Sequence, residues 1–216
     1  MNKASLSISS KNYSSWSMRG WLLLRFAGLE FDEEVVPLDE EARSELLLES
    51  SSFRVPCLSH GIVKAWDTLA IAEYLHEILP EAGLLPEHPA GRAYCRSICG
   101  EMHSGFASLR TSLPFNVKAR FPGHRVFGRA QNDIERVTTI WSECLERYGG
   151  PFLFGQRTMA DAIFAPVVLR FATYDVQVAP VCQAYCEHIR ALPEVQEWVE
   201  GALQETDDID ELDMEF

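Results

Sequence analysis

The chain has 216 residues, enough for one large domain or two small ones with a substantial core. Hydrophobic residues make up 47% and charged residues 24%, an ordinary globular composition, and no apolar run reaches the ~20 residues of a membrane helix. A formal net charge of −13 argues against nucleic acid or an anionic membrane as partner.

The first ten residues, MNKASLSISS, show no signal-peptide core, so the cytosol is the expected location. ASLSIS (4–9) reads as a strand, and residues 15–27 read as a helix closed by Gly28. FDEEVVPL (31–38) returns to strand, and EEARSELLLES reads as a short helix. RVPCLSHGIVKAW holds two short strands joined at His60-Gly61. In DTLAIAEYLHEILP, Ile71, Ala72, Leu75, Ile78 and Leu79 share one helical face. The pattern is a βαβ unit, a helix, a hairpin and a closing helix, which fills a first domain over 1–80.

PEAGLLPEHPAG, rich in Pro and Gly, supplies a linker over 81–91. Strand signals then nearly vanish. Residues 92–113, 126–148, 159–174, 180–191 and 194–204 each read as helix, giving an all-helical second domain over 92–204. The last twelve residues (205–216) form a tail with seven acids and no base, so about half of the negative charge is local and is read as a solvated, frayed end. Six cysteines show neither C-x-x-C nor zinc spacing, so they read as small buried hydrophobes, with no metal and no disulfide framework expected.

Three constellations in the first domain admit two readings each. In RVPC (54–57) a proline interrupts a strand; it is either an edge-strand proline or a cis proline that leaves the Val55 backbone N–H and C=O free to pair with an extended peptide. Asp67-Thr68 opens a helix; the pair is either a cap or a recognition site for an ammonium and a carboxylate. Ser14 and Ser15, in KNYSSWSMRGW, are either caps or hydroxyls aimed outward beside the positive end of a helix, where a bound thiol would be held as thiolate.

Taken together, in this order and spacing, these elements resemble the glutathione transferase family across essentially the whole chain. RVPCLSHGIVKAWDTLAIAEYL carries the family's succession of VP, hairpin, acid-plus-hydroxyl and AIAEYL, while FLFGQRTMADAIFAPVVLRF resembles its Thr-x-x-Asp capping box, at Thr158 and Asp161. GEMHSGFASLRTSLP and FAPVVLRFATYDV are similar to one bacterial subgroup. The resemblance implies an α/β plus all-α fold, with a thioredoxin-like N-terminal domain followed by the helical domain. It implies glutathione as co-substrate, a small electrophile as second substrate, and a homodimer. Ser14 matches the serine that activates the thiol, with Ser15 one step away, sharing or taking the role. Val55 matches the backbone clamp, Pro56 the cis-proline, and Asp67 and Thr68 the γ-glutamyl anchors. Arg54 matches a position near the glycine end of the tripeptide.

There are departures. The family's serine-type isomerases acting on maleylacetoacetate resemble SSCSWR where this chain has SSWSMR, so Trp16 replaces a cysteine, which weighs against that activity. No cysteine precedes Cys57, which disfavours the cysteine-type thiol transferases. Tyr13 is adjacent but ranks below Ser14, because the family's catalytic tyrosine lies nearer the first strand. His103, Ser104 and Arg110 are expected on one long helix at the cleft. Trp16, Phe106, Leu109 and Phe115 are candidate pocket walls, with a reading as core of equal weight. KARFPGHR brings Lys118, Arg120, His124 and Arg125 together in what reads as a solvated loop. The expected function is a glutathione transferase that presents the thiol as thiolate; the alternatives are a non-catalytic module of the same fold and a glutathione-dependent isomerase or peroxidase.

Overall fold

The computed structural model describes residues 3–36 and 54–206. The helix expected at EEARSELLLES and the end of the strand beyond Val36 lie outside them. β1 (Ala4–Ile8) alternates buried Ala4, Leu6 and Ile8 with half-buried serines, the period-two pattern of a strand with one covered face. It pairs in parallel with β2 (Phe31–Val35), from Ala4 opposite Phe31 to Ile8 opposite Val35. On its other side it runs antiparallel to β3 (Cys57–His60), which pairs in turn with β4 (Val63–Trp66), completing the order β2-β1-β3-β4. The hairpin turn is Gly61-Ile62 rather than His60-Gly61: His60 still pairs with Val63, and Gly61 supplies a positive φ of 63°.

α1 (Ser15–Ala27) packs on β1, and α2 (Thr68–Ile78) packs on α1 and β4. Gly28 ends α1 in the left-handed conformation (φ 70°), its N–H reaching the carbonyls of Arg25 and Leu24. A short 3₁₀ turn (Pro80–Ala82) occupies the start of the expected linker, and α3 (Pro89–Ser104) begins inside it, with Pro89 at the first helical position and His88 as cap.

The long helix expected over 92–113 is broken. Gly105 and Phe106 interrupt it, Phe106 at a φ of 58°, and a separate α4 (Ala107–Ser112) follows. Arg110 folds back over the break, its guanidinium donating to the carbonyls of Met102 (3.0 Å), His103 (3.2 Å) and Gly105, groups that a continuing helix would have satisfied. α5 (Arg129–Tyr148) starts three residues later than expected, after Gly128 at positive φ. α6 (Met159–Thr173), α7 (Pro180–Arg190) and α8 (Pro193–Gln204) complete the helical domain.

α6 is buried along nearly its whole length and packs against α1, so it is the helix on which the two domains meet. Its capping box forms: the Asp161 carboxylate accepts the Thr158 N–H at 2.8 Å. All six cysteines are buried and free, and burial pushes the Cys144 and Cys186 thiols up to about 12. They behave as core residues. KARFPGHR is a loop with Arg120, Pro122, Gly123 and Arg125 exposed, as expected, and it is also tied down: Arg120 donates to the carbonyls of Val117 and Ala119, and His124 packs on Tyr174. No helix among the described residues is long and apolar enough to cross a membrane.

Candidate functional site

Ser14 caps α1. Its Oγ accepts the Ser17 N–H at 3.2 Å and lies 2.8 Å from the Ser17 Oγ, which itself accepts the Ser9 N–H at 3.0 Å. A cap needs only the first of these bonds. The second links the Ser14 hydroxyl to a buried partner anchored on the end of β1, so it sits in a short chain of hydrogen bonds. Ser15 follows at ~100° around the helix and points the other way. It is buried, and its Oγ accepts from Arg170 of α6 at 3.2 Å. The two serines, equivalent in sequence, are separated by helix phase: Ser14 is half-buried at the helix tip, while Ser15 is committed to the domain interface.

The Val55–Pro56 peptide is cis, as expected, with Val55 half-buried, Pro56 buried and Arg54 exposed. Pro56 sits directly on α1 at Gly20. A Cβ on Gly20 would stand 2.5 Å from Pro56 Cβ and 2.7 Å from its Cγ, closer than any real contact. Glycine inside a helix is unfavourable by about 1 kcal/mol relative to alanine, so the close approach explains its presence here. Gly20→Ala is therefore expected to lower stability, the overpacking loss of about 1–3 kcal/mol exceeding the propensity gain, and to displace Val55. Urea unfolding reads the first effect and glutathione titration the second; a stabilised variant would contradict the packing argument.

Asp67 caps α2 with one oxygen only. Its Oδ1 accepts the N–H groups of Leu69 (3.0 Å) and Ala70 (3.4 Å), while Oδ2 faces His103 Nε2 of α3 at 3.5 Å. The Asp67 side chain is 51% exposed, and its Oδ2 makes no cap bond. Thr68 is fully buried, and its hydroxyl has no hydrogen-bond partner. His103 also stacks edge-on against Trp16, with centroids 5.1 Å apart. Trp16 lies two residues beyond Ser14, so His103 of α3 meets the first turn of α1 and the cap of α2 at once. The Arg19 and Arg110 guanidiniums lie 4.7 and 5.3 Å from the Trp16 ring centroid. Of the candidate pocket walls, Trp16 alone is half-buried; Phe106, Leu109 and Phe115 belong to the core.

Residues 13–78 match the family model described as the N-terminal domain of glutathione S-transferase. Over these residues the chain is similar to the glutathione S-transferase family. It is 29% identical over 171 residues to a probable maleylacetoacetate isomerase of Caenorhabditis elegans, covering 77% of this chain and 78% of that one. It is 27% identical to glutathione S-transferase 1 of Dianthus caryophyllus, with 74% of each chain covered. Among solved structures, a glutathione transferase homolog from Burkholderia with bound glutathione matches at a TM-score of 0.71 and 27% identity, over 95% of this chain and 100% of that one. A Tau class enzyme from mango, at 17% identity and a TM-score of 0.70 over 93% and 96% of the two chains, shares the fold.

The sequence did not reveal the basic cluster behind Trp16. Arg19, Arg110 and Arg170 converge there, and their donors go to backbone carbonyls and the Ser15 hydroxyl, not to a carboxylate. Burial, with Arg170 and Arg110 adding to it, lowers the Arg19 pKa. Burial also brings Arg170 down to about 10, Tyr174 opposing the shift and Arg110 adding to it. Arg170 at such a value still carries its charge at neutral pH. Arg110 Nε is buried with no partner. The one available signal was that all three arginines lie on segments otherwise apolar in pattern.

Proposed function

We propose that the protein is an enzyme that binds glutathione along its N-terminal domain and presents the thiol as a thiolate to a small electrophile. In this reading the sulfur lies at Ser14, the tripeptide backbone pairs with Val55 beyond Pro56, and Arg54 flanks the glycine end. The ammonium of the γ-glutamyl group meets Asp67 Oδ2. The observation that carries the reading is the approach of two helix N-termini through His103, with the half-exposed Asp67 carboxylate capping by one oxygen only. A helix N-terminus with free N–H groups suits a carboxylate or a thiolate. Thr68 contributes an unpaired hydroxyl beside the first of these, an arrangement that costs about 1–3 kcal/mol until an acceptor reaches it.

Lowering a thiol pKa from ~8.5 to ~6.5 requires about 2.7 kcal/mol. A charge-assisted bond from the Ser14 hydroxyl supplies about 1.5–3 kcal/mol, and the helix terminus adds about 0.3–1. When Ser14 donates to the sulfur, the Ser17 hydroxyl is free to donate to Ser14, and the Ser9 N–H to Ser17, each bond polarising the next. The thiolate then forms the S–C bond, and the leaving group departs with the electron pair. Ser15, held by Arg170, serves the domain interface rather than the sulfur.

A second reading is favoured by one observation: three arginines behind Trp16 donate, among the described residues, to no carboxylate, in a chain whose relatives include proteins named maleylacetoacetate isomerase. An electrophile bearing carboxylates would complement that charge, with the thiolate adding reversibly to its double bond. Turnover of a maleyl acid in preference to an aryl halide would select this reading; binding of glutathione with neither activity would point to a non-catalytic module. The homodimer belongs to the same proposal, and light scattering at the mass of one chain would remove it.

Asp67→Asn tests the binding mode. Asparagine caps a helix as well as aspartate does, so stability should stay within ~0.5 kcal/mol. Losing the charge should weaken glutathione by about 10–100-fold in a calorimetric titration. An unchanged affinity would reduce Asp67 to a cap.

A further inference from the structure

Ser14 is presented by the turn Ser10–Ser14, and that turn is held by the far end of the chain. Ser10 is its hub: its carbonyl accepts the Ser14 N–H at 2.9 Å, and its Oγ accepts the N–H groups of Asn12 and Tyr13, both at 3.1 Å. The Ser10 hydroxyl donates in turn to Glu205 Oε2 at 2.6 Å. The same carboxylate accepts the Asn12 N–H on Oε2 at 3.0 Å and the Lys11 N–H on Oε1 at 2.5 Å. Successive N–H groups converging on one point form an anion-binding concavity, here filled by a side chain about 190 residues distant in sequence. Glu205 is itself anchored, because Lys118 Nζ donates to its carbonyl at 2.6 Å. Trp198 of α8 completes the brace, its Nε1 donating to the Lys11 carbonyl at 3.0 Å.

Glu205 opens the acidic run that the sequence suggested was a frayed end, yet it is half-buried and spends three hydrogen bonds on this turn. We propose that Glu205 is a positioning residue for thiol activation, its carboxylate fixing the Ser10–Ser14 turn and thereby the direction of the Ser14 hydroxyl. The inference rests on the reading of Ser14 given above. All three groups that approach the carboxylate are donors, so the role needs an acceptor at both oxygens. Glutamine cannot supply it: seating its oxygen on Ser10 and Asn12 turns its amide N–H groups towards the Lys11 N–H.

The test compares Glu205→Ala, Glu205→Gln and Ser14→Gly in the full-length chain. The readouts are near-ultraviolet circular dichroism, kcat and KM for glutathione, and thiolate absorbance of bound glutathione against pH. Displacement of a catalytic group by ~1 Å costs up to ~100-fold in rate, so both Glu205 variants should lose about 10–100-fold in kcat. The KM for glutathione should hold within about twofold, because Asp67 and Val55 lie elsewhere, and the thiol pKa should rise by about one unit. A residue that merely braces the fold would lower stability without moving the thiol titration. Glu205→Gln, which preserves volume, keeps the test decisive if Glu205→Ala does not fold. Native kcat and thiol pKa in Glu205→Gln, with both lost in Ser14→Gly, would overturn the positioning role alone. Native values in Ser14→Gly would overturn the reading of Ser14 and the inference with it.

Discussion

Asp161→Ala is expected to destabilise the protein by about 3–5 kcal/mol, because it strips a buried acceptor from several donors at once. The Asp161 carboxylate accepts the N–H of Leu153 (3.1 Å) on one oxygen, with the Tyr185 hydroxyl (3.3 Å), and the N–H of Thr158 (2.8 Å) on the other. It thus pins three segments: the turn before α6, the start of α6 itself and α7. Its ionisation gives the same residue a pH signature. Burial raises its pKa from 3.8 to about 6, against the lowering effect of the hydrogen bonds from Thr158, Leu153 and Tyr185.

A folded value above the unfolded one means that protonation favours the folded state. The contribution is full below about pH 4 and is lost as pH rises through about 6. Relative to Asp161→Asn, which cannot titrate, the natural chain should therefore gain about 1 kcal/mol on going from pH 7.5 to pH 5. Urea unfolding of both chains at the two pH values measures it. A margin that shrinks in acid would show that Asp161 is held as a carboxylate.

The capping box was legible in the sequence because its parts lie three residues apart and cap only one kind of element. Gly28 and Asp67 were legible for the same reason: each marks a helix end by its own local chemistry. The break at Gly105–Phe106 was not, since the apolar spacing runs on through Leu109 and Leu113, and the device that makes the break tolerable, Arg110 over three carbonyls, is a side-chain geometry. The distinction between Ser14 and Ser15 depends on helix phase relative to α6, which a run of serines does not carry. Arg170 and Glu205 are 155 and 195 residues from the hydroxyls they meet, Ser15 and Ser10, so no local pattern could relate them. Gly20 left a trace that went unread: a glycine in the middle of an apolar helix has a reason, and here the reason is Pro56.

Ser14→Gly carries the largest functional effect expected of a single substitution. Glycine at an N-cap costs only a few tenths of a kcal/mol, so α1 should remain formed. The hydroxyl is nevertheless gone, and with it a charge-assisted bond of about 1.5–3 kcal/mol, equivalent to about 10–150-fold in thiolate population or rate. Ser15→Ala should behave differently, because it removes one of the acceptors of the buried Arg170. That loss should register in stability and leave the bound thiol little changed.

The thiolate absorbance of bound glutathione, followed against pH in the natural chain and in Ser14→Gly, tests the account most directly. It predicts a bound thiol titrating about two units below its free value of ~8.5, and a return of at least one unit towards that value in Ser14→Gly with the fold intact. A bound thiol that titrates at its free value in the natural chain, or one that keeps its lowered pKa in Ser14→Gly, would contradict it.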